Sequence, residues 1–225
     1  MTASAAAAAL WIGLAGMPAG ASDLRVQTVP DGEPTLPEAP PALGEDQGEL
    51  AEEGLHGLEI PEDGEARSEQ LDSLFDQLAR EENGAWPVIQ AQIWRVWRRS
   101  GSDSMDLLLI RALEAIEAED FETALVHLDD LVRLDPDFAE AWNQRATVHF
   151  LQGDYGKAMR DIEATLALEP RHFGALSGLG IILDRTGNEA GALQAYRRAL
   201  EIHPHLPGAQ KGVDRLAPDV DGREL

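Results

Sequence analysis

The six residues LVRLDP at 131–136 return as TLALEP at 165–170 and as ALEIHP at 199–204. Their prolines, Pro136, Pro170 and Pro204, are separated by 34 residues both times. Aligning the chain on them puts Ala124, Ala158 and Ala192 in one column. Leu128, Ile162 and Tyr196 fall in a second, and Ala112, Ala146 and Gly180 in a third. Self-similarity at a fixed period of this size is the mark of stacked helix pairs, each too small to bury its apolar face alone. Within the units, at 107–116 and 124–134, apolar residues recur at three and four, the period of a helix with one buried face. Glu119-Asp120, Gly153-Asp154 and Gly187-Asn188 interrupt each unit at one phase and split it into two helices. The prolines open the following helix, where a missing N–H costs nothing.

The second unit carries Trp142, Ala146, Gly153, Tyr155, Ala158, Ile162 and Pro170. In these columns the chain resembles the tetratricopeptide repeat (TPR), with copies at 105–138, 139–172 and 173–206. It is also similar to the short exported members of that family in alphaproteobacteria. The resemblance implies an all-α fold, a right-handed α-solenoid of three helix hairpins. Two departures stand out. Leu108 and Leu176 occupy the Trp142 column. Arg111 and Arg145 occupy a column that holds Leu179 in the third copy, and a buried arginine needs a partner. Asp161 is the candidate for Arg145.

Both flanks read as caps. Residues 68–104 are expected to form a degenerate N-terminal helix pair, with helices at 69–82 and 87–99. The first carries Leu71, Leu74, Phe75 and Leu78 on one face; Asn83-Gly84 is a turn, and Pro87 opens the second. Trp94 and Trp97, at i and i+3, are expected to pack on the first repeat. Arg95, Arg98 and Arg99 then face solvent or hold acidic chain. After the repeats, 207–225 reads as a short closing helix at 208–216 followed by a frayed tail.

The N-terminal quarter has a different composition. An apolar run, AAAAALWIGLAGM, ends at Met17 and is followed by Ala19-Gly20-Ala21. At about 13 residues it is shorter than the ~20 of a spanning helix, and the small residues fit a cleavage site. Residues 1–21 are therefore expected to be a signal peptide cut near Ala21, which sends the chain to the periplasm or outside the cell. No basic residue precedes the run. If it is not a signal, the chain is cytoplasmic. Residues 22–67 hold thirteen acids against Arg25 and Arg67. So charged and proline-rich a segment buries too little apolar surface to offset its ordering entropy, and disorder is expected.

Several chemistries are excluded or left without support. The 225 residues carry a formal charge of −23, which repels phosphate backbones and disfavours nucleic acid as a partner. There is no cysteine, hence no thiolate metal site and no cysteine nucleophile. No nucleophile elbow, phosphate loop or paired-histidine zinc motif occurs. His203 and His205 flank Pro204 without a third ligand nearby and read as a turn. No enzyme activity, cofactor, metal or stable membrane anchor is expected; oligomeric state is open.

The resemblance instead implies binding of a protein or extended peptide along a wall lined by the first helices. Its floor would run from Leu109 and Leu113 through Asn143, Thr147 and Phe150 to Ser177, Gly178 and Ile181. Gly178 would leave a socket for a bulky anchor. A scaffold of this kind is expected in the exported compartment. Two alternatives are an assembly factor that holds unfolded clients and an accessory subunit of an envelope complex. No lysine lies in these columns, which disfavours a carboxylate-clamping version of the groove.

Overall fold

The structure, a computed structural model, describes residues 59–80 and 84–222. The expected signal peptide, and the acidic segment up to residue 58, lie outside the described residues. Those described form helices without strands: α1 (Gly64–Arg80), α2 (Trp86–Trp97), α3 (Asp103–Glu117), α4 (Phe121–Leu134), α5 (Ala139–Leu151), α6 (Tyr155–Leu168), α7 (Phe173–Arg185), α8 (Glu189–Ile202) and α9 (Pro207–Gly222).

The turns between α3 and α4, α5 and α6, and α7 and α8 share one chemistry. A residue with positive φ comes first: Glu119 at 56°, Gly153 at 77° and Gly187 at 81°. The next side chain caps the second helix. Asp120 accepts from the Thr123 N–H at 3.1 Å, Asp154 from Lys157 at 3.0 Å and Asn188 from Gly191 at 3.0 Å. Each satisfies one of the donors that a helix start leaves without a partner. Hydrogen bonds from the Thr123 and Lys157 side chains, and then from these N–H groups, hold the carboxyls of Asp120 and Asp154 below the usual aspartate range.

Two apolar clusters fill the stack. One joins α3 and α4 to α5 through Leu128, Leu131, Val132, Ala141 and Val148. The other runs from Ile162 and Leu166 through Ala175, Ile182 and Tyr196 to Ala209 and Leu216. Burying one such leucine or isoleucine contributes roughly 1.5–3 kcal/mol. The small-residue column explains how the helices approach. A Cβ on Gly180 would lie 2.2 Å from the Tyr196 ring, and one on Gly212 would lie 2.4 Å from the same ring. In the second repeat, where the partner is Ile162, the column tolerates Ala146.

Arg145 meets the partner named for it. Its guanidinium donates from Nε and Nη2 to the two Asp161 oxygens, both at 2.8 Å, and from Nη1 to Asp129 of α4 at 2.8 Å. These bonds, Asp161 first, raise its pKa further. Arg111, in the same column one repeat earlier, is exposed.

Four expectations are corrected. Pro136, Pro170 and Pro204 lie in the turns before α5, α7 and α9 rather than in the first turn of those helices. Helix α1 begins at Gly64 rather than near residue 69, because the Asp63 carboxylate caps it through the Ala66 N–H and Ile60 packs against the hairpin core. The last helix continues past Leu216 to Gly222, where Arg197 grips both oxygens of Asp221. The largest correction concerns α1 and α2. They do not stack on the first repeat; their apolar cluster includes Phe173 at the start of α7, Ile202 at the end of α8 and Leu206 just before α9.

Candidate functional site

The edge where the first helices of each repeat begin is covered by the chain itself. Helix α2 runs along it against the order of the repeats. At its start, Trp86 stacks on His205 and meets His203 edge-on. One turn later Gln90 accepts from His203 Nε2 at 2.7 Å. Trp94 and Trp97 then meet His172 and Phe173, with Trp97 lying flat on the His172 ring at 4.1 Å. Just beyond the helix, Arg98 lies 3.8 Å from Glu140 and Arg99 lies 2.9 Å from Asp106. The geometry is commensurate. Twelve residues of helix span about 18 Å, and two steps of packed helices at 8–10 Å each cover the same length. Helix α1 adds Phe75 against Phe173 and Trp97, and Asp72 to the guanidinium of Arg171 at 2.5 Å.

The centre of this edge is a buried carboxylate. Glu140 accepts from Asn143 Nδ2 at 3.0 Å and from Gln144 Nε2 at 2.7 Å, and it faces His172 Nε2 at 3.2 Å. His172 Nδ1 accepts the Ala175 N–H at 2.9 Å, which caps α7. That bond leaves the proton of the neutral ring on Nε2, aimed at Glu140. His203 is likewise neutral. Burial, helped by the neighbouring His205, pushes its pKa down to about 3.

The eight groove residues named from the sequence are placed as follows. Leu109, Asn143, Thr147, Phe150, Ser177 and Gly178 are buried, and Leu113 and Ile181 are half-buried. Thr147 donates to the Asn143 carbonyl one turn below it, at 3.1 Å. Ser177 faces the start of α9, its hydroxyl 4.0 Å from where a Cβ on Gly208 would sit. Gly178, where an open socket was expected, is itself buried. One acceptor among the eight residues is unused: Asn143 Oδ1 is buried and has no hydrogen-bond partner.

Sequence reasoning passed over Glu140, His172 and Phe173, and read His203 only as part of a turn. One signal was available. Asp106 and Glu140 are 34 residues apart in a single column, where the next two copies have Gly174 and Gly208. The adjacent Arg98 and Arg99 answer those two acids in reverse order, Arg98 at Glu140 and Arg99 at Asp106. His203 bonds Gln90, and His205 stacks on Trp86. Among the described residues no group of three or more His, Asp or Glu could hold an ion, and no helix is long and apolar enough to cross a membrane.

Comparison with known proteins agrees with the helix-hairpin architecture. A tetratricopeptide-repeat family model matches residues 111–162 and 152–207. A TPR repeat-containing protein of Rhizobium etli is 44% identical over 155 residues, covering 68% of this chain and 76% of its own length. Tetratricopeptide repeat protein 36 of Bos taurus is 30% identical over 135 residues, 58% of this chain and 72% of that one. Among solved structures, the TPR domain of Arabidopsis OM64 superposes with a TM-score of 0.50 at 15% identity. It covers 52% of this chain and 97% of that domain. The Sgt2 TPR domain from Aspergillus fumigatus gives 0.50 at 18%, over 55% and 83%. With its 34-residue period, its capped helix hairpins and relatives matched over most of their length, the chain belongs to the tetratricopeptide-repeat family.

Proposed function

We propose that this chain is a non-catalytic scaffold that takes a protein segment into the groove lined by α3, α5 and α7, and that it works in an exported compartment. Tetratricopeptide repeats are protein–protein interaction modules. The observation that supports the groove here is Asn143 Oδ1, a buried acceptor without a partner. Leaving such a group unsatisfied costs roughly 1–3 kcal/mol, which the backbone N–H of an extended ligand would recover. To reach it, the chain lying against Glu140 has to move, and the end of α2 at Arg98 is part of that chain. The α1–α2 hairpin is thus a competitor in the same molecule, and the ligand and Trp97 bind at each other's expense.

The test starts with affinity purification from the envelope fraction of the native host. Titrating the recovered partner against variants follows. Asn143→Ala should weaken binding by about 1 kcal/mol, and Trp97→Ala should tighten it. Equal affinity for all three proteins would place the ligand on another face. Export is tested separately, from the first residue of mature protein made from its true start. Ser22 supports cleavage, and an intact chain in the cytosol removes the compartment from the proposal. One stoichiometric partner would favour an accessory subunit; many unfolded clients would favour an assembly factor.

A further inference from the structure

Because α1 and α2 lie along the edge, no described helix covers the face of the first repeat that looks away from the stack. The repeat register shows what kind of face it is. Leu107 shares a column with Ala141 and Ala175, and Ile110 shares one with Gln144 and Gly178. In the second and third repeats these columns are pressed against the preceding repeat. Ala141 packs with Leu128, Leu131 and Val132 of α4, and Ala175 with Ile162 and Leu166 of α6. Ala141 and Ala175 are 0% exposed and Gln144 is 2% exposed. Leu107 is 47% exposed and Ile110 is 51% exposed. Large apolar residues thus occupy a stacking surface on which none of the described helices is stacked.

The neighbouring charges say what would fit. Arg145 reaches back to Asp129 of the preceding repeat at 2.8 Å. Arg111, its counterpart on the bare face, is exposed. Leu107 and Ile110 lie on one stripe of α3 with Asp103, Glu114 and Glu117, at helical spacings of four and three. We propose that this face binds one amphipathic helix of a partner protein, stacked as α4 stacks on α5. Its leucine-like residues at i, i+3 and i+4 cover Leu107 and Ile110. A carboxylate beside the first of them meets Arg111, and basic residues at its flanks meet Asp103, Glu114 and Glu117. A second copy of this chain is the poorer occupant. It would bring the same acids face to face between molecules of formal charge −23. This surface is separate from the groove, and either can fail without the other.

The probe is a fluorescein-labelled synthetic 18-residue helix. Leucines on one face follow the Leu128, Leu131 and Val132 spacing, one glutamate follows the first leucine as Asp129 does, and lysines fill the flanks. Anisotropy is read against the full chain at 150 mM salt, with circular dichroism of each variant as the folding check. Saturable one-to-one binding is expected, weakened at least tenfold by Leu107→Ser with Ile110→Ser, and several-fold by Arg111→Ala. Neither serine alters net charge or the buried core. A peptide with glutamates in place of the lysines should not bind. Equal binding by the double-serine variant would mean bulk attraction to an acidic protein and would overturn the proposal. So would a concentration-dependent dimer in sedimentation that the same two serines dissolve, since the second copy would then be the occupant.

Discussion

The two ends of the helix stack are finished in opposite ways. At the C-terminal end, α9 continues the register as a lone first helix. Ala209 stands 34 residues after Ala175 and is equally buried, and Gly212 admits the Tyr196 ring. At the N-terminal end the preceding helix pair exists but turns aside and leaves Leu107 and Ile110 uncovered. The difference shows what makes a cap. A stacked helix needs small residues facing its neighbour, which α9 supplies at Ala209 and Gly212. Helix α2 instead presents Trp86, Trp94 and Trp97, which are too large for that column; Trp86 and Trp97 lie flat on His205 and His172, and Trp94 meets Phe173 edge-on.

The largest expected effect therefore separates the hairpin from the stack. Trp97→Ala removes the His172 stack and the contacts with Phe75 and Phe173. Truncating a core tryptophan costs about 3–5 kcal/mol. Here the loss should be local. Amide exchange should lose protection across α1 and α2 and keep it across α5 to α8. Uniform loss would mean that the hairpin and the repeats form one cooperative unit, and the contrast between the ends would be weaker than drawn here.

The C-terminal end breaks by crowding. Gly180→Ala places a methyl inside the Tyr196 ring's space and should cost roughly 1–3 kcal/mol in urea unfolding. Adding Tyr196→Ile recreates the Ala146–Ile162 pairing of the second repeat. The double variant should then be more stable than the two single costs predict. Simple additivity would show that the two columns do not meet as described.

Acid should act on the edge between them. His203 has a pKa of about 3 in the fold because burial disfavours its charged form; the ordinary histidine value is 6.5. The unfolded chain therefore binds more protons between these values, and stability falls as pH drops through that window. From pH 7 to pH 5 this one group should remove about 2 kcal/mol. Burial lowers His149 as well, so its contribution has the same sign. Comparing urea midpoints at pH 7 and pH 5 for wild type and His203→Gln checks it. The variant should show the flatter dependence, and an unchanged slope would mean that His203 is not held neutral.

What could be read from the sequence follows the range of the interactions. Positions of the turns, the columns at Ala158 and Gly180, and the Arg145–Asp161 pair all lie within one repeat or between adjacent repeats, where a period of 34 fixes who meets whom. The docking of α2 rests on Trp97 meeting His172 and Gln90 meeting His203, partners 75 and 113 residues apart. No periodicity relates them, and an apolar face alone does not say which surface it covers. The eight residues expected to line a groove were legible as a set of columns, yet their burial was not, because burial depends on where α1 and α2 lie.

The smallest effect concerns the open end's own turn. Glu119, Gly153 and Gly187 take the same left-handed backbone at the same phase, but only the first repeat puts a side chain there. A non-glycine residue pays roughly 1–2 kcal/mol for that conformation, partly offset because glycine loses more chain entropy on folding. Glu119→Gly should therefore stabilise the chain by about 0.5–1 kcal/mol. Gly153→Ala should destabilise it by a similar amount, although nothing lies within 4 Å of the added methyl. Removing a carboxylate from so acidic a protein also relieves repulsion, so Glu119→Gln is the needed control; it removes the charge and keeps the strain. If glutamine gains as much as glycine in thermal unfolding, the effect is electrostatic. If only glycine gains, the first repeat carries backbone strain that the second and third avoid, and the uncovered end is also the end with the less favourable turn.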